Sequence, residues 1–152
     1  MRYSFTGAMP SHLKTVAVPL LTNETAEYGV VEQITDQIIS EIQRDNKLKI
    51  VDLNGADSIL RGSLLRVDDV PYTYDQQSGG GQNFNVGEYK LTLTVRMQYY
   101  DRKNDQVVWE QDFTAWGTYQ HTSGTSEERQ AGFQQAIEKL AQDVLNQTVS
   151  GW

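Results

Sequence analysis

Strict alternation of apolar and polar residues between positions 87 and 119 constrains the fold more than any other feature of this sequence. On one parity lie Tyr89, Leu91, Leu93, Val95, Met97 and Tyr99, and on the other lie Lys90, Thr92, Thr94, Arg96 and Gln98. This period of two is typical of a strand with a core on one face and a polar environment on the other. A polar turn at 101–105 and a second strand-like stretch follow, which indicates a hairpin. In the return strand, one parity carries Val107, Trp109, Phe113 and Ala115.

The other segments are predicted to be built onto this hairpin. Two stretches have apolar residues at spacings of three and four, which predicts amphipathic helices. Thr125 and Glu128 fit a capping box before the second helix. An interrupted alternation at 58–67 predicts a strand with a bulge near Gly62 or Leu64. The predicted order is strand 14–21, helix 25–44, strands 48–53 and 58–67, a glycine-rich connection at 68–86, the hairpin, and helix 126–147.

This order predicts an α+β fold, a two-layer sandwich. A mostly antiparallel sheet of four to five strands would carry both helices on one face, because each helix has one apolar stripe to bury. The first strand–helix–strand unit can add one parallel pair. We expect an extended leader at 1–13 and a single domain at 14–152. The opposite face of the sheet is then left uncovered, and this face is the main indication of function.

Composition narrows the classes of function. The 152 residues include 13 Lys and Arg against 20 Asp and Glu, which gives a net charge of −7. Such an acidic balance argues against nucleic-acid binding, which relies on neutralising phosphates. Cysteine is absent, so disulfides, thiolate metal sites and cysteine nucleophiles are excluded. No apolar run approaches the about 20 residues that a membrane-spanning helix needs.

No arrangement of residues predicts catalysis, a cofactor or a metal site. His12 and His121 have no partner at metal-ligand spacing and are expected to be exposed loop residues. Asp101 and Asp105 lie in a turn, where carboxylates usually cap backbone groups. The glycine run at 79–81 precedes a strand and not a helix, so it indicates a linker and not a phosphate-binding loop.

The polar face of the hairpin supplies the candidate binding residues. Lys90 and Arg96 share it with Thr92, Thr94 and Trp116, while the phase change in the preceding strand leaves the faces of Arg61 and Arg66 open. A cluster of two to four cations could hold an anionic group despite the net charge. The alternative is a solvated face on which Glu110 or Asp112 neutralises Lys90 or Arg96 across the strands.

Short motifs in order along nearly the whole chain resemble the lipopolysaccharide-assembly lipoproteins of the LptE type. They are RYSF at 2–5, PSHLKTVAVP at 10–19, QRDNKL at 43–48, ADSILRG at 56–62, PYTY at 71–74, EY at 88–89 and VVWE at 107–110. The resemblance implies a two-layer sandwich with two helices on one sheet face. It also implies a lipidated Cys at the position of Met1, where this sequence has no Cys.

The resemblance further implies a non-catalytic function and a location. The family's lipoprotein would lie at the periplasmic face of the outer membrane, attached through an N-terminal lipid. It would plug and stabilise the outer-membrane β-barrel LptD and contact lipopolysaccharide during its transport. No nucleic-acid partner is implied.

Two other functions fit the sequence pattern. Strands of the V-A-V-P type followed by a helix and an A-D-x-x-L-x-G strand also occur in periplasmic lipoproteins that regulate a cell-wall enzyme or a secretion pore. A small-molecule binding module could instead use the 68–86 connection as a lid over an apolar pocket.

Overall fold

A computed structural model describes residues 9–76, 84–121 and 125–150. This part of the chain forms six strands and two α-helices. They are β1 (Thr15–Ala17), β2 (Thr22–Asn23), α1 (Val30–Asp45), β3 (Lys49–Ile50), β4 (Ser58–Gln76), β5 (Phe84–Asp101), β6 (Gln106–Gln120) and α2 (Ser126–Ser150), with a short 3-10 helix at Leu53–Gly55. Neither of these helices combines the length and the apolarity needed to cross a bilayer.

All six strands belong to one sheet, in the order β3-β1-β4-β5-β6, with β2 also paired to β4. The pairs β4–β5 and β5–β6 are antiparallel. The short strands β1, β2 and β3 make only parallel pairs. Strand β1 ends just before Pro19, which has no N–H to donate to a ladder. The predicted α+β fold is confirmed, with a six-stranded sheet because the edge contains these brief segments.

Both helices pack on one face of the sheet. The residues of β5 that point toward them are 0% exposed: Leu91, Leu93, Val95, Met97 and Tyr99. They form one apolar cluster with the buried stripes of α1 and α2. The backbone of α2 touches β6 directly, since a Cβ on Gly117 would overlap the carbonyl oxygen of Gly132. A glycine is therefore required at this crossing.

The prediction of a long connection at 68–86 was wrong. Strand β4 continues to Gln76 and β5 begins at Phe84, so only 77–83 of that stretch lies outside the described residues. These residues look irregular in sequence, but antiparallel pairing between β4 and β5 continues as far as the Gln76–Phe84 pair. This pairing holds both segments extended. The lid hypothesis loses its basis, since most of the supposed lid is sheet.

Helix α1 begins later than the predicted residue 25. Its N-cap is Gly29, which adopts a left-handed conformation with φ 78°. The preceding residues form a local turn, in which the Asn23 side chain accepts a hydrogen bond from the Thr25 N–H at 2.9 Å and donates one to the Glu27 carbonyl at 2.7 Å. These side-chain bonds compete with helix formation until Gly29 redirects the chain.

Irregularities in the register of β4 and β6, of which those at Leu65 and Val108 affect predicted residues, set which side chains share a face. In β4 the register shifts between Leu64 and Arg66, so Leu65 is the extra residue, close to the predicted position. In β6 the shift leaves Val108 without a partner between Val107 and Trp109. Val107 is therefore 47% exposed, and its predicted place on the apolar face was wrong.

The outer edge of β6 is closed at one point by a side chain from α2. Gln135 Oε1 accepts a hydrogen bond from the Thr118 N–H at 3.2 Å, and Gln135 Nε2 donates to the Thr118 carbonyl at 3.1 Å. The amide thereby satisfies both backbone groups that would otherwise be open to another strand.

The chain enters the fold at the end of the sheet that carries the β5–β6 turn, residues 102–105, which we call the turn end. Leu13 is 4% exposed. His12 Nε2 lies 2.5 Å from Asp101 Oδ2, so the prediction of His12 as an exposed loop residue was wrong. The expected capping by Asp101 is confirmed, because its Oδ1 accepts the N–H groups of Lys103 and Asn104.

Candidate functional site

The sheet face opposite the helices, here called the uncovered face, contains the predicted site residues. Neither helix packs on it in the described part of the chain. The cross-strand register places these residues on it: Arg61, Ser63, Arg66, Asp68, Val70 and Tyr72 of β4, Lys90, Thr92, Thr94, Arg96 and Gln98 of β5, and Glu110, Asp112, Thr114, Trp116 and Thr118 of β6. All seven candidate contact residues from the sequence therefore share one surface.

The bulge at Leu65 brings Arg61 and Arg66 to the same side. Arg61 lies opposite Gln98 and Arg66 opposite Thr94, and these two partners share one parity of β5. Arg61 Nε donates to Gln98 Oε1 at 2.8 Å, and its guanidinium lies 5.0 Å from the Tyr100 ring centroid. The sequence left open which sheet face Arg61 and Arg66 occupy, and the inserted Leu65 places both on the uncovered face.

Arg96 is paired across the strands, as the neutralised-face alternative predicted. Its Nε and its Nη2 donate to the two carboxylate oxygens of Asp112 at 2.8 and 3.3 Å. The hydrogen bond from Arg96 lowers the pKa of Asp112 below 3.8. Reciprocally, the hydrogen bond to Asp112 raises the pKa of Arg96. Both side chains are exposed, so an incoming anion can compete with Asp112 for the guanidinium.

An open depression of about 500 Å³ lies on the part of the uncovered face nearer the turn end. Two guanidiniums reach it, together with two hydroxyls, an amide, one carboxylate and an apolar rim. Its lining residues are Pro19, Leu20, Thr22, Arg61, Gly62, Ser63, Arg96, Gln98 and Glu110. Arginines beside apolar surface can bind an anionic group attached to an apolar body.

The other part of the uncovered face carries an aromatic patch. Trp116 and Tyr72 stack with centroids 6.0 Å apart, and each remains about half exposed, at 49% and 50%. Lys90 Nζ lies 4.6 Å from the Trp116 ring centroid, and Val70 beside it is 47% exposed. Exposed aromatic residues with a cation are typical of an interface. Sequence reasoning missed Tyr72 and Val70 because it assigned them to a loop.

The two threonines of the site differ in exposure. Thr92 is half-buried, whereas Thr94 is 6% exposed. Thr94 lies between Arg66 and Thr114 of the adjoining strands. Thr94 is therefore a poor candidate for direct contact with a partner. Solvent exposure varies along the uncovered face.

A model of the lipopolysaccharide-assembly family LptE matches residues 13–148. The chain belongs to the LptE family. The resemblance found in the sequence motifs is thereby confirmed. LptE is a family of non-enzymatic lipoproteins, so the chain is a lipoprotein of the lipopolysaccharide-assembly type. No individually curated protein matches the sequence at a significant level.

Solved structures share the LptE-like fold at low sequence identity. The minor lipoprotein from Acinetobacter baumannii is 23% identical with a TM-score of 0.55, over 90% of this chain and 92% of that one. Rare lipoprotein B from Shewanella oneidensis is 17% identical with a TM-score of 0.50, over 89% and 93%. The PelC dodecamer from Paraburkholderia phytofirmans is 16% identical with a TM-score of 0.57, over 95% of this chain and 96% of that one. At these identities the likeness establishes the fold alone.

A charged cluster outside the uncovered face ties the LptE-family fold together. Arg129 of α2 binds Glu27 at 2.6 and 3.0 Å and Asp69 at 2.6 and 3.2 Å. Tyr119 donates to Asp69 at 2.6 Å. Burial opposes ionisation of Asp69, but the hydrogen bonds from Arg129 and Tyr119 outweigh it and lower the pKa of Asp69 below 3.8. We call this cluster the Arg129 clasp.

The remaining predictions concern absent or undescribed groups. Within the described residues, no three His, Cys, Asp or Glu side chains are grouped in a way that could hold a metal ion. The position of Met1, where the lipidated residue is expected, lies outside them. His121 is exposed and contacts the edge of the Tyr89 ring at 5.0 Å between centroids.

Proposed function

We propose that this LptE-family chain plugs and stabilises the outer-membrane β-barrel LptD from the periplasmic side and contacts lipopolysaccharide with its uncovered face. The observation that carries the proposal is that face itself. Three long strands present cations and a half-exposed aromatic pair, and neither helix nor any other layer within residues 9–76, 84–121 and 125–150 covers them. A soluble sheet normally buries or solvates such a surface, and stacked exposed aromatic rings mark an interaction site. The proposal requires no catalytic group or cofactor.

The two parts of the uncovered face suit two partners. The aromatic patch around Trp116 and Tyr72 offers rigid apolar area, which suits the inner wall of a protein barrel. The depression with Arg61 and Arg96 offers guanidiniums, which bind phosphate groups by paired hydrogen bonds. Lipopolysaccharide carries phosphates beside acyl chains, and the apolar rim at Leu20 provides a neighbouring surface for the chains.

Regulation of a cell-wall enzyme or a secretion pore is the alternative function. The fold alone does not separate it from the first, because one fold can serve unrelated functions. The family match and the two-part uncovered face favour lipopolysaccharide assembly. The bound partner therefore decides between them.

Capture from a Gram-negative envelope tests the barrel contact. The lipidated chain should recover a large outer-membrane barrel protein, and the double variant Trp116→Ser with Tyr72→Ser should recover much less of it. Tyr28→Ser is the matched control, since Tyr28 is 97% exposed away from the uncovered face. Recovery of a peptidoglycan synthase as the main partner, or equal recovery by all variants, would contradict the proposal.

Lipopolysaccharide binding is tested by reversing two charges. Lys90→Glu with Arg96→Glu should weaken binding to immobilised lipopolysaccharide several-fold while the circular dichroism spectrum stays unchanged. Arg44→Glu with Lys139→Glu alters the net charge equally at other exposed positions and should keep the affinity. Unchanged affinity of the first pair would assign the face to the barrel wall or to solvent.

A further inference from the structure

Three lysines cluster at the turn end, away from the uncovered face. Lys14 precedes β1, Lys47 follows α1 and Lys49 begins β3, where the Lys49 N–H donates to the Lys14 carbonyl at 3.0 Å. All three side chains are exposed. They line one open depression together, and two of them, Lys14 and Lys47, also line a second depression. The cluster is thus one continuous surface, here called the lysine surface.

None of the three ammonium groups of the lysine surface forms an ion pair among the described residues, and from these lysines the nearby Asp57 carboxylate accepts only the Lys14 backbone N–H, at 3.0 Å. None of the side chains that line either depression is a carboxylate. Other lysines of the chain are paired: Lys103 lies 3.2 Å from Asp57 and Lys139 lies 2.8 Å from Asp143. In a chain with seven more acidic than basic side chains, three adjacent cations without an ion pair form a distinct positive surface.

Helix dipoles explain only part of this arrangement. Helix α1 ends at Asp45 with Asn46 as its C-cap, and a lysine beside a helix C-terminus offsets its partial negative charge. This effect falls off within the last turn, so it accounts for Lys47. Val149, in the last turn of α2, lines the same depression as Lys14, so this effect also applies to Lys14. Lys49 begins β3, and its placement needs another reason.

The lysine surface coincides with the point where the chain enters the fold. Met9, Pro10 and Leu13 line the same depression as Lys14 and Lys47, and His12 is held against Asp101. Residues 9–13 of the expected leader therefore lie at this end. A membrane attachment on that leader would bring the lysines, and not the uncovered face, closest to the membrane surface.

We infer that the lysine surface docks on the anionic phospholipid headgroups of the membrane to which the leader is attached. The inference rests on the proposed lipoprotein function for the attachment. Lysine ammonium groups attract anionic headgroups without demanding fixed geometry, and half-exposed Met9 and Ile50 add apolar contact. A basic surface adds to the membrane affinity that acyl chains give, and a single chain alone gives only marginal association.

Vesicle flotation of the full chain without a lipid tests this inference. At low salt, the chain should float with vesicles of phosphatidylethanolamine and phosphatidylglycerol and not with phosphatidylcholine vesicles. The triple variant Lys14→Glu, Lys47→Glu, Lys49→Glu should lose about tenfold or more in partitioning. A matched variant has the same net charge but carries its changes at exposed positions of α2: Gln130→Glu, Ala131→Glu, Gln134→Glu, Lys139→Glu and Gln142→Glu. It should partition like the native chain.

Two results would overturn the inference: no flotation of the native chain with anionic vesicles, or equal loss in the lysine variant and the matched α2 variant. Unfolding midpoints of both variants check that the fold is kept. Barrel capture separates this inference from the proposed function, because the Lys14, Lys47, Lys49 variant should still recover the barrel. Failed barrel capture with normal flotation would reject the proposed function and support membrane docking by the lysine surface. Normal barrel capture with failed flotation would reject the docking inference and support the proposed function.

Discussion

The two faces of β5 differ in how their side chains are satisfied. Toward the helices, Leu93 and its neighbours are completely buried among residues of the same chain. On the uncovered face, Arg96 is exposed and pairs with Asp112, and Lys90 rests over Trp116. One face thus depends only on the chain, whereas the other has groups that can exchange their present contacts for those of a partner. Stability should follow the first face and binding the second.

The largest effect is expected from truncating the covered face. Leu93→Ala removes fully buried methyl groups and leaves a cavity between the sheet and α2, so it should lower the free energy of unfolding by about 2–5 kcal/mol. Urea unfolding followed by circular dichroism measures this change. A loss below about 1 kcal/mol would mean that the two faces are less different than their burial indicates.

An intermediate effect is expected at the rim of the covered face, in the Arg129 clasp. Burial and the hydrogen bond to Asp69 raise the pKa of Tyr119 from 10.0 to about 12. Because the folded chain holds the phenol proton more tightly, this stabilisation is complete below pH 10 and is lost as the pH rises from 10 to 12. Native unfolding midpoints should fall across that window, and Tyr119→Phe should show a smaller fall. Parallel curves would contradict the assignment.

The smallest effect on stability is expected from the uncovered face. Trp116→Ser removes a ring that is half exposed and contacts mainly Tyr72 and Lys90, so the free energy of unfolding should change by less than about 1 kcal/mol. The thermal unfolding midpoints of the Trp116→Ser and Leu93→Ala variants, measured side by side, compare the two faces directly. A larger loss would show that the aromatic patch supports the fold and is not held ready for a partner.

Elements with strong local signals could be predicted from the sequence. The alternation from 89 to 99 matches the two faces of β5, and the predicted capping box forms, since the Thr125 N–H and the Glu128 N–H each donate to the other's side chain at 3.4 Å. The apolar stripes of α1 and α2 pack on the sheet as expected. These features depend on neighbours within a few residues, so periodicity alone reveals them.

Features that depend on distant partners could not be predicted. Tyr72 looks like a loop residue until the β5 ladder extends it and Trp116 stacks on it. The Arg129 clasp needs Glu27, Asp69 and Tyr119 to meet from three separate segments. The position of one bulge decides which face of the sheet Arg61 and Arg66 occupy. The alternation of apolar and polar residues located that bulge only approximately.

The contact between Gln135 and Thr118 has a consequence for the behaviour of many copies together. An unpaired strand edge is a template on which further chains can add, and crowded compartments favour such growth. Here one side-chain amide occupies the donor and the acceptor that a newcomer would need first at that end of β6. The helix that stabilises each molecule thus also blocks the addition of a strand at this point of the edge.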